Sequence, residues 1–165
     1  MTRSEPERHD AGRKVAARTI EALQRSQASI RTTANSMAKA AGDAIEAQFA
    51  PDPLRAGLES EIRSWVRDKA KAGDVAAIKE QVKATPEVAA IIYHSPRFLL
   101  ELAPEVHDNF KADAIEHHAP QHVEALTDSM ELAKLADKYA PVIASINTSF
   151  YNAAVAEQVK SRVEV

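Results

Sequence analysis

From Asp10 to Phe49 the chain alternates polar positions with small or apolar ones at a heptad spacing. Ile20, Gln27, Ala34 and Ala41 recur every seven residues, and Leu23, Ile30, Met37 and Ala44 repeat three positions later. This a/d seam of about three and a half repeats predicts one long helix. Ala and Gln occupy half of the seam, so the helix needs outside packing to persist. That packing can come from its own downstream helices, another copy or a different protein.

Phe49-Ala-Pro-Asp-Pro53 breaks the pattern, with Asp52 as N-cap and Pro53 at the first helical position of the next element. There Leu54, Leu58, Ile62, Trp65 and Val66 form a helical stripe, and Trp65 reads as a core anchor. Gly73-Asp74 stops this helix and caps another that turns Val75, Ile78 and Val82 inward. Thr85-Pro86, Ser95-Pro96 and Ala103-Pro104 then predict short helices over 86–94, 96–102 and 104–118. Val88, Ile91, Ile92, Tyr93, Phe98, Leu99, Leu100, Leu102, Val106 and Phe110 are the expected core. After Pro120, the positions Val123, Leu126, Met130 and Ala133 mark a helix to about Ala140. Pro141 either kinks it or starts a new one, with Ile143, Ile146 and Phe150 continuing the apolar face. Val155, Val159 and Val163 follow as that face drifts round, and Arg162-Val-Glu-Val165 reads as a frayed end.

The expected class is all-α: a long N-terminal helix with weak heptads, short proline-capped helices and C-terminal helices. Residues 1–9 read as a flexible arm and Asp10 as the cap of the long helix. Residues 10–50 read as a helical interaction segment, and 51–165 as a helical core module.

Composition narrows the chemistry. The chain has no Cys, four Gly and eight Pro among 165 residues, which removes disulfides, zinc–thiolate sites and cysteine nucleophiles. No Gly-x-Ser-x-Gly elbow, Gly-rich phosphate loop or His-Glu-x-x-His motif is present in the sequence. His107, His117, His118 and His122 cluster near Asp108, Asp113 and Glu116, but Pro120 interrupts the His118–His122 spacing. They read as surface or helix-capping histidines. Glu59 and Glu61 point to different helix faces, and Pro104 separates Glu101 from Glu105, so no carboxylate pair is arrayed across a cleft. No catalytic residue, metal ligand or cofactor is expected.

Net charge is −3, from 21 basic and 24 acidic residues. Residues 11–40 hold six basic side chains against Glu21 alone, a local balance of +5. Lys14, Arg18 and Arg25 lie near one helical stripe, and could contact phosphates; no aromatic interleaves with them to stack bases. The longest apolar run, Val88–Tyr93, is six residues, far short of a membrane span. No signal-peptide pattern opens the chain, so synthesis in the cytosol is expected.

Within 59–126, Glu61-Ile-Arg-Ser-Trp-Val66, Gly73-Asp74, Thr85-Pro-Glu-Val-Ala-Ala-Ile-Ile-Tyr-His-Ser-Pro-Arg-Phe-Leu99 and His117-His-Ala-Pro120 are notable. They resemble an uncharacterised family of small helical proteins encoded by phages and prophages of proteobacteria. The match departs at Ser95, where the family has Ala, and after Leu99, where Leu100-Glu-Leu replaces Ser-Gly-Leu. The resemblance implies a phage gene beside structural or assembly genes, and a location in the virion or the bacterial host cytoplasm. It transfers no catalytic residue. The expected function is therefore a phage structural component that self-associates or docks on other phage proteins, with Ile20, Leu23, Ile30 and Met37 as the docking seam. A DNA-associated regulator using Lys14, Arg18 and Arg25 is the alternative.

Overall fold

The computed structural model describes residues 4–161, with side chains described as far as Val159. The expected fray at Arg162–Val165, with Val163 in it, lies outside the described residues, as do Met1, Thr2 and Arg3 of the expected arm.

All regular structure among the described residues is helical: α1 (Glu5–Gln48), a 3-10 turn (Pro53–Arg55), α2 (Ala56–Lys71), α3 (Val75–Ala84), α4 (Pro86–His94), α5 (Arg97–Leu100), α6 (Pro104–His118), α7 (Pro120–Asp137), α8 (Tyr139–Phe150) and α9 (Ala153–Ser161). Two compact units divide them. A terminal unit takes residues up to Ser36 and those from Asp128 onward; a central unit takes Met37–Thr127. The division thus falls within α1 and α7, away from the chain-order boundary expected near residue 50.

Helix α1 starts five residues before the cap expected at Asp10. The amide of Ser4 donates to Glu7 Oε2 at 2.7 Å, and the Arg8 amide donates to the Ser4 carbonyl. A Ser-x-x-Glu capping arrangement therefore nucleates the first turn, and residues 5–9 are helix rather than arm. Asp10 lies inside that helix and ion-pairs with Arg13 (2.7 Å) and Lys14 (2.8 Å).

The central unit is built where the prolines put corners. Asp52 Oδ1 accepts from Leu54 N, so its cap closes a 3-10 turn, and α2 begins three residues later at Ala56. Gly73, at φ +73°, and Asp74, whose Oδ1 accepts from Ala77 N, make the α2–α3 junction. Helices α3, α4 and α6 pack on one another, and α2 lies against α3, α4 and α5. Val66, Ile78, Val82, Ile91, Ile92, Leu100 and Phe110 form the buried cluster with Ile45 at the end of α1 and Phe49 just beyond it. Trp65 packs against it half-buried, as an anchor should.

Several expected core positions turn outward. Leu54 is 96% exposed and Leu58 half exposed, because the stripe begins in the 3-10 turn, whose register differs from an α-helix. Phe98 is 73% exposed and Leu99 also faces out. Helix α5 is a single turn ending at Glu101 (φ +52°), and Leu100 and Leu102 take the buried places. Met130 and Phe150 are exposed as well. The hydroxyls of Thr85 and Ser95, placed to cap the helices that follow, do not do so: Thr85 Oγ1 donates to Gln81 Oε1, and Ser95 Oγ is buried without a partner.

In the terminal unit Pro141 sits in the first turn of a new helix, α8. The chain breaks again at Tyr151, and Asn152 Oδ1 accepts from Ala154 N (3.0 Å) and Val155 N (3.4 Å) to cap α9. Gly12 lies where α1 meets this break: a Cβ there would stand 2.7 Å from the Phe150 carbonyl oxygen. Alanine improves helix propensity by about 1 kcal/mol, but the clash is with backbone that cannot rotate away. Gly12→Ala is therefore expected to lose about 1 kcal/mol net, read as a lower melting transition by circular dichroism. A gain in stability would show that α1 and the α8–α9 junction do not approach this closely.

Candidate functional site

Several polar side chains that reach far along the sequence converge on helix ends. The last four carbonyls of an α-helix have no intrahelical donor. In the central unit His118 Nε2 donates to the Val82 carbonyl in the last turn of α3 at 2.7 Å. His107 Nε2 donates to the Ile92 carbonyl in the last turn of α4 at 3.0 Å. His94 Nδ1 donates to the carbonyl of Phe49, just beyond α1, at 3.1 Å. Gln48 Nε2 reaches the His118 carbonyl at the end of α6. In the terminal unit Gln27 Nε2 donates to the Ala136 carbonyl at the end of α7, at 2.9 Å. His107 and His118 are thus capping histidines, as expected, but they cap the helices they pack on rather than their own.

Gln27 also explains the polar position in the heptad seam, since it satisfies a carbonyl and keeps its place in the packing. Beside it Arg31 pairs with Asp137 at 2.6 Å. Ile20, Leu23 and Ile30 are half-buried within the terminal unit, and Met37 is half-buried within the central one. Ala34 between them and Ala16 before them are buried. The seam residues are thus partly covered in a single chain.

The three cations of the phosphate-binding alternative are also largely engaged. Lys14 pairs with Asp10, and Arg25 lies 3.7 Å from Glu21, each one turn away on α1. Arg18 is exposed and has no ion-pair partner among the described residues.

Asp113, Glu116 and His117 place one ligand atom each within 4.8 Å of one another. Asp113 already faces Lys79 (3.6 Å) and Lys83 (3.5 Å), and His117 Nδ1 donates to the Asp113 carbonyl. His122 stands half-buried in the first turn of α7.

An open cleft of about 340 Å³ runs between the Asp52 corner, α2 and the start of α4. Its floor is apolar (Leu58, Ile62, Ile91), and its charged rim is internally paired: Arg55 bonds Glu87 at 3.1 Å and lies 3.5 Å from Asp52.

Tyr93 joins the end of α1 to α4. Its ring stacks on Phe49 at 4.8 Å, its hydroxyl donates to Glu46 Oε1 at 2.7 Å, and Lys111 Nζ lies 4.8 Å over its face. Burial first, then the Glu46 carboxylate, push the phenol up to about 12. It stays protonated and works as a structural donor.

Sequence reasoning missed Ser4 with Glu7, Gly12, Gln48 and His94. The Ser-x-x-Glu spacing was a readable signal; the other three act through partners more than 40 residues away.

No helix among the described residues is long and apolar enough to cross a membrane. No family model, curated protein or solved structure matches this chain.

Proposed function

We propose that this protein is a non-enzymatic protein–protein interaction component that self-associates through its exposed helix faces, as a structural or assembly protein of a phage particle. The observation that carries the reading is the set of large apolar side chains left in water. Leu54, Leu58, Phe98 and Leu99 are exposed on the central unit, and Val15, Met130, Leu135, Val142 and Phe150 on the terminal one. Where such side chains adjoin one another they make the apolar patch that marks an association surface, whereas single ones are ordinary. The half-buried seam of Ile20, Leu23, Ile30 and Met37 is a secondary contact in this reading. The phage setting rests on the sequence resemblance over residues 59–126. Ion-pairing of Lys14 and Arg25 with their own helix makes the DNA-associated alternative less favoured.

Light scattering on the purified chain tests the proposal. An oligomer at micromolar concentration is expected, and Phe98→Ser is expected to shift it toward the monomer. A chain that stays monomeric and fails to co-sediment with particles overturns it. A salt-sensitive complex with duplex DNA would favour the alternative instead.

A further inference from the structure

Helix α4 ends on His94, whose ring lies between the end of α1 and the first half of α2. Nδ1 carries the hydrogen that the Phe49 carbonyl accepts, so in a neutral ring Nε2 has only a lone pair. That nitrogen is buried without a hydrogen-bond partner, and Glu59 Oε2 lies 3.6 Å from it. A lone pair facing a carboxylate is repelled; a proton on the same nitrogen turns the contact into an ion pair.

We propose that His94 is a proton-gated clasp at the α1–α2 corner. The charged imidazole bridges the Phe49 carbonyl and the Glu59 carboxylate, and the neutral ring holds the carbonyl alone. The corner is built around these two residues. Glu59 Oε1 accepts the Asp52 amide at 3.0 Å, and Arg63 Nη1 is 3.3 Å from Glu59 Oε2. One carboxylate therefore ties the 50–55 segment to α2, and His94 ties both to α4.

Several other charged groups on the packed elements are held by other partners. Asp52 caps Leu54 and faces Arg55, while Glu46 of α1 holds the Tyr93 hydroxyl. Lys111 and His107 of α6 lie on the Tyr93 ring and the Ile92 carbonyl. Lys79 and Lys83 of α3 face Asp113.

Burial raises the Glu59 carboxyl, but the Asp52 amide, His94 and Arg63 together outweigh it and hold the group below its usual value. Glu59 is thus ionised throughout the neutral range, where histidine side chains change charge. The sign follows. The bridge is present only while His94 carries its second proton and is lost when the ring gives it up. It is lost again below the carboxylate range, when Glu59 becomes protonated. With the ring neutral, the clasp holding the Phe49–Arg55 segment loosens.

A double-mutant cycle on the full chain tests this, using His94→Gln, Glu59→Gln and the pair, with urea unfolding followed by Trp65 fluorescence. The His94–Glu59 coupling is expected to change the unfolding constant by about fivefold near pH 5.5 and by less than about twofold near pH 8. Equal coupling at both, or none near pH 5.5, overturns the clasp. Ring nitrogen shifts of wild-type His94 give a second measurement that needs no variant. Near pH 8 the ring is expected as the Nδ1–H tautomer; the Nε2–H tautomer there overturns the proposal.

Discussion

Replacing Phe49 by alanine is expected to destabilise the central unit by about 3–5 kcal/mol, more than any other change considered for this chain. The side chain is 2% exposed and belongs to the main buried cluster although it lies just past the end of α1. Its ring stacks on Tyr93, and its carbonyl is held by His94. Truncation removes a large buried surface and leaves a cavity between elements already pinned at both ends, so collapse around it is restricted. The Glu46–Tyr93 hydrogen bond and the Lys111 contact rest on the same ring pair and lose their support with it. Trp65, the sole tryptophan, packs against the same cluster, so its fluorescence during urea unfolding reports this unit. A loss under about 1 kcal/mol would mean that the end of α1 is not part of the core.

The second large effect is expected at His107. It is 7% exposed, and its ring donates across the α4–α6 contact to the Ile92 carbonyl. His107→Leu keeps much of the volume but removes the donor, which leaves that carbonyl buried and unpaired. The expected cost is about 2 kcal/mol, because an orphaned buried acceptor loses its full solvation. His107→Gln can donate from its amide and is expected to recover about half of that loss. If Leu and Gln behave alike in urea unfolding, the ring is there for packing alone and the carbonyl bond contributes nothing measurable.

These predictions share a physical theme. The short helices of the central unit expose many terminal carbonyls for their length. Nine-residue α4 has as many unpaired ends as 44-residue α1. His94, His107, His118 and Gln48 reach across to such carbonyls, so the corners cut by proline are closed by side chains from other elements. This gives His94, His107 and His118 a structural role at helix ends.

Helix positions were legible because the signals are local. Proline at the first turn, Asp74 after Gly73 and an Ala-rich stretch without proline from residue 7 to 50 act through backbone geometry within a few residues. Ile78 and Val82 of α3, Val88, Ile91 and Ile92 of α4 and Phe110 of α6 followed from helical periodicity for the same reason, whereas Val75, expected to face inward, is 37% exposed. Phe98, Leu99 and Leu54 did not follow. A one-turn helix and a 3-10 turn give periodicity too few residues to act on, and the backbone at Glu101 decides which leucines go inside. The start of α1 was readable in Ser4 and Glu7 and was passed over in favour of Asp10.

By itself, then, the sequence determined an all-helical chain, the corners at its prolines and a core centred on residues 88–110. Each of these is set by interactions within a turn or two. Tertiary structure alone decided that α1 and α7 each contribute to two units, and that Gly12 meets the Phe150 carbonyl. It alone gave His94, Gln48 and Gln27 helix ends to satisfy. Those pairings join residues 45 to 138 positions apart, and no local preference encodes which distant carbonyl will lack a donor until the helices have packed.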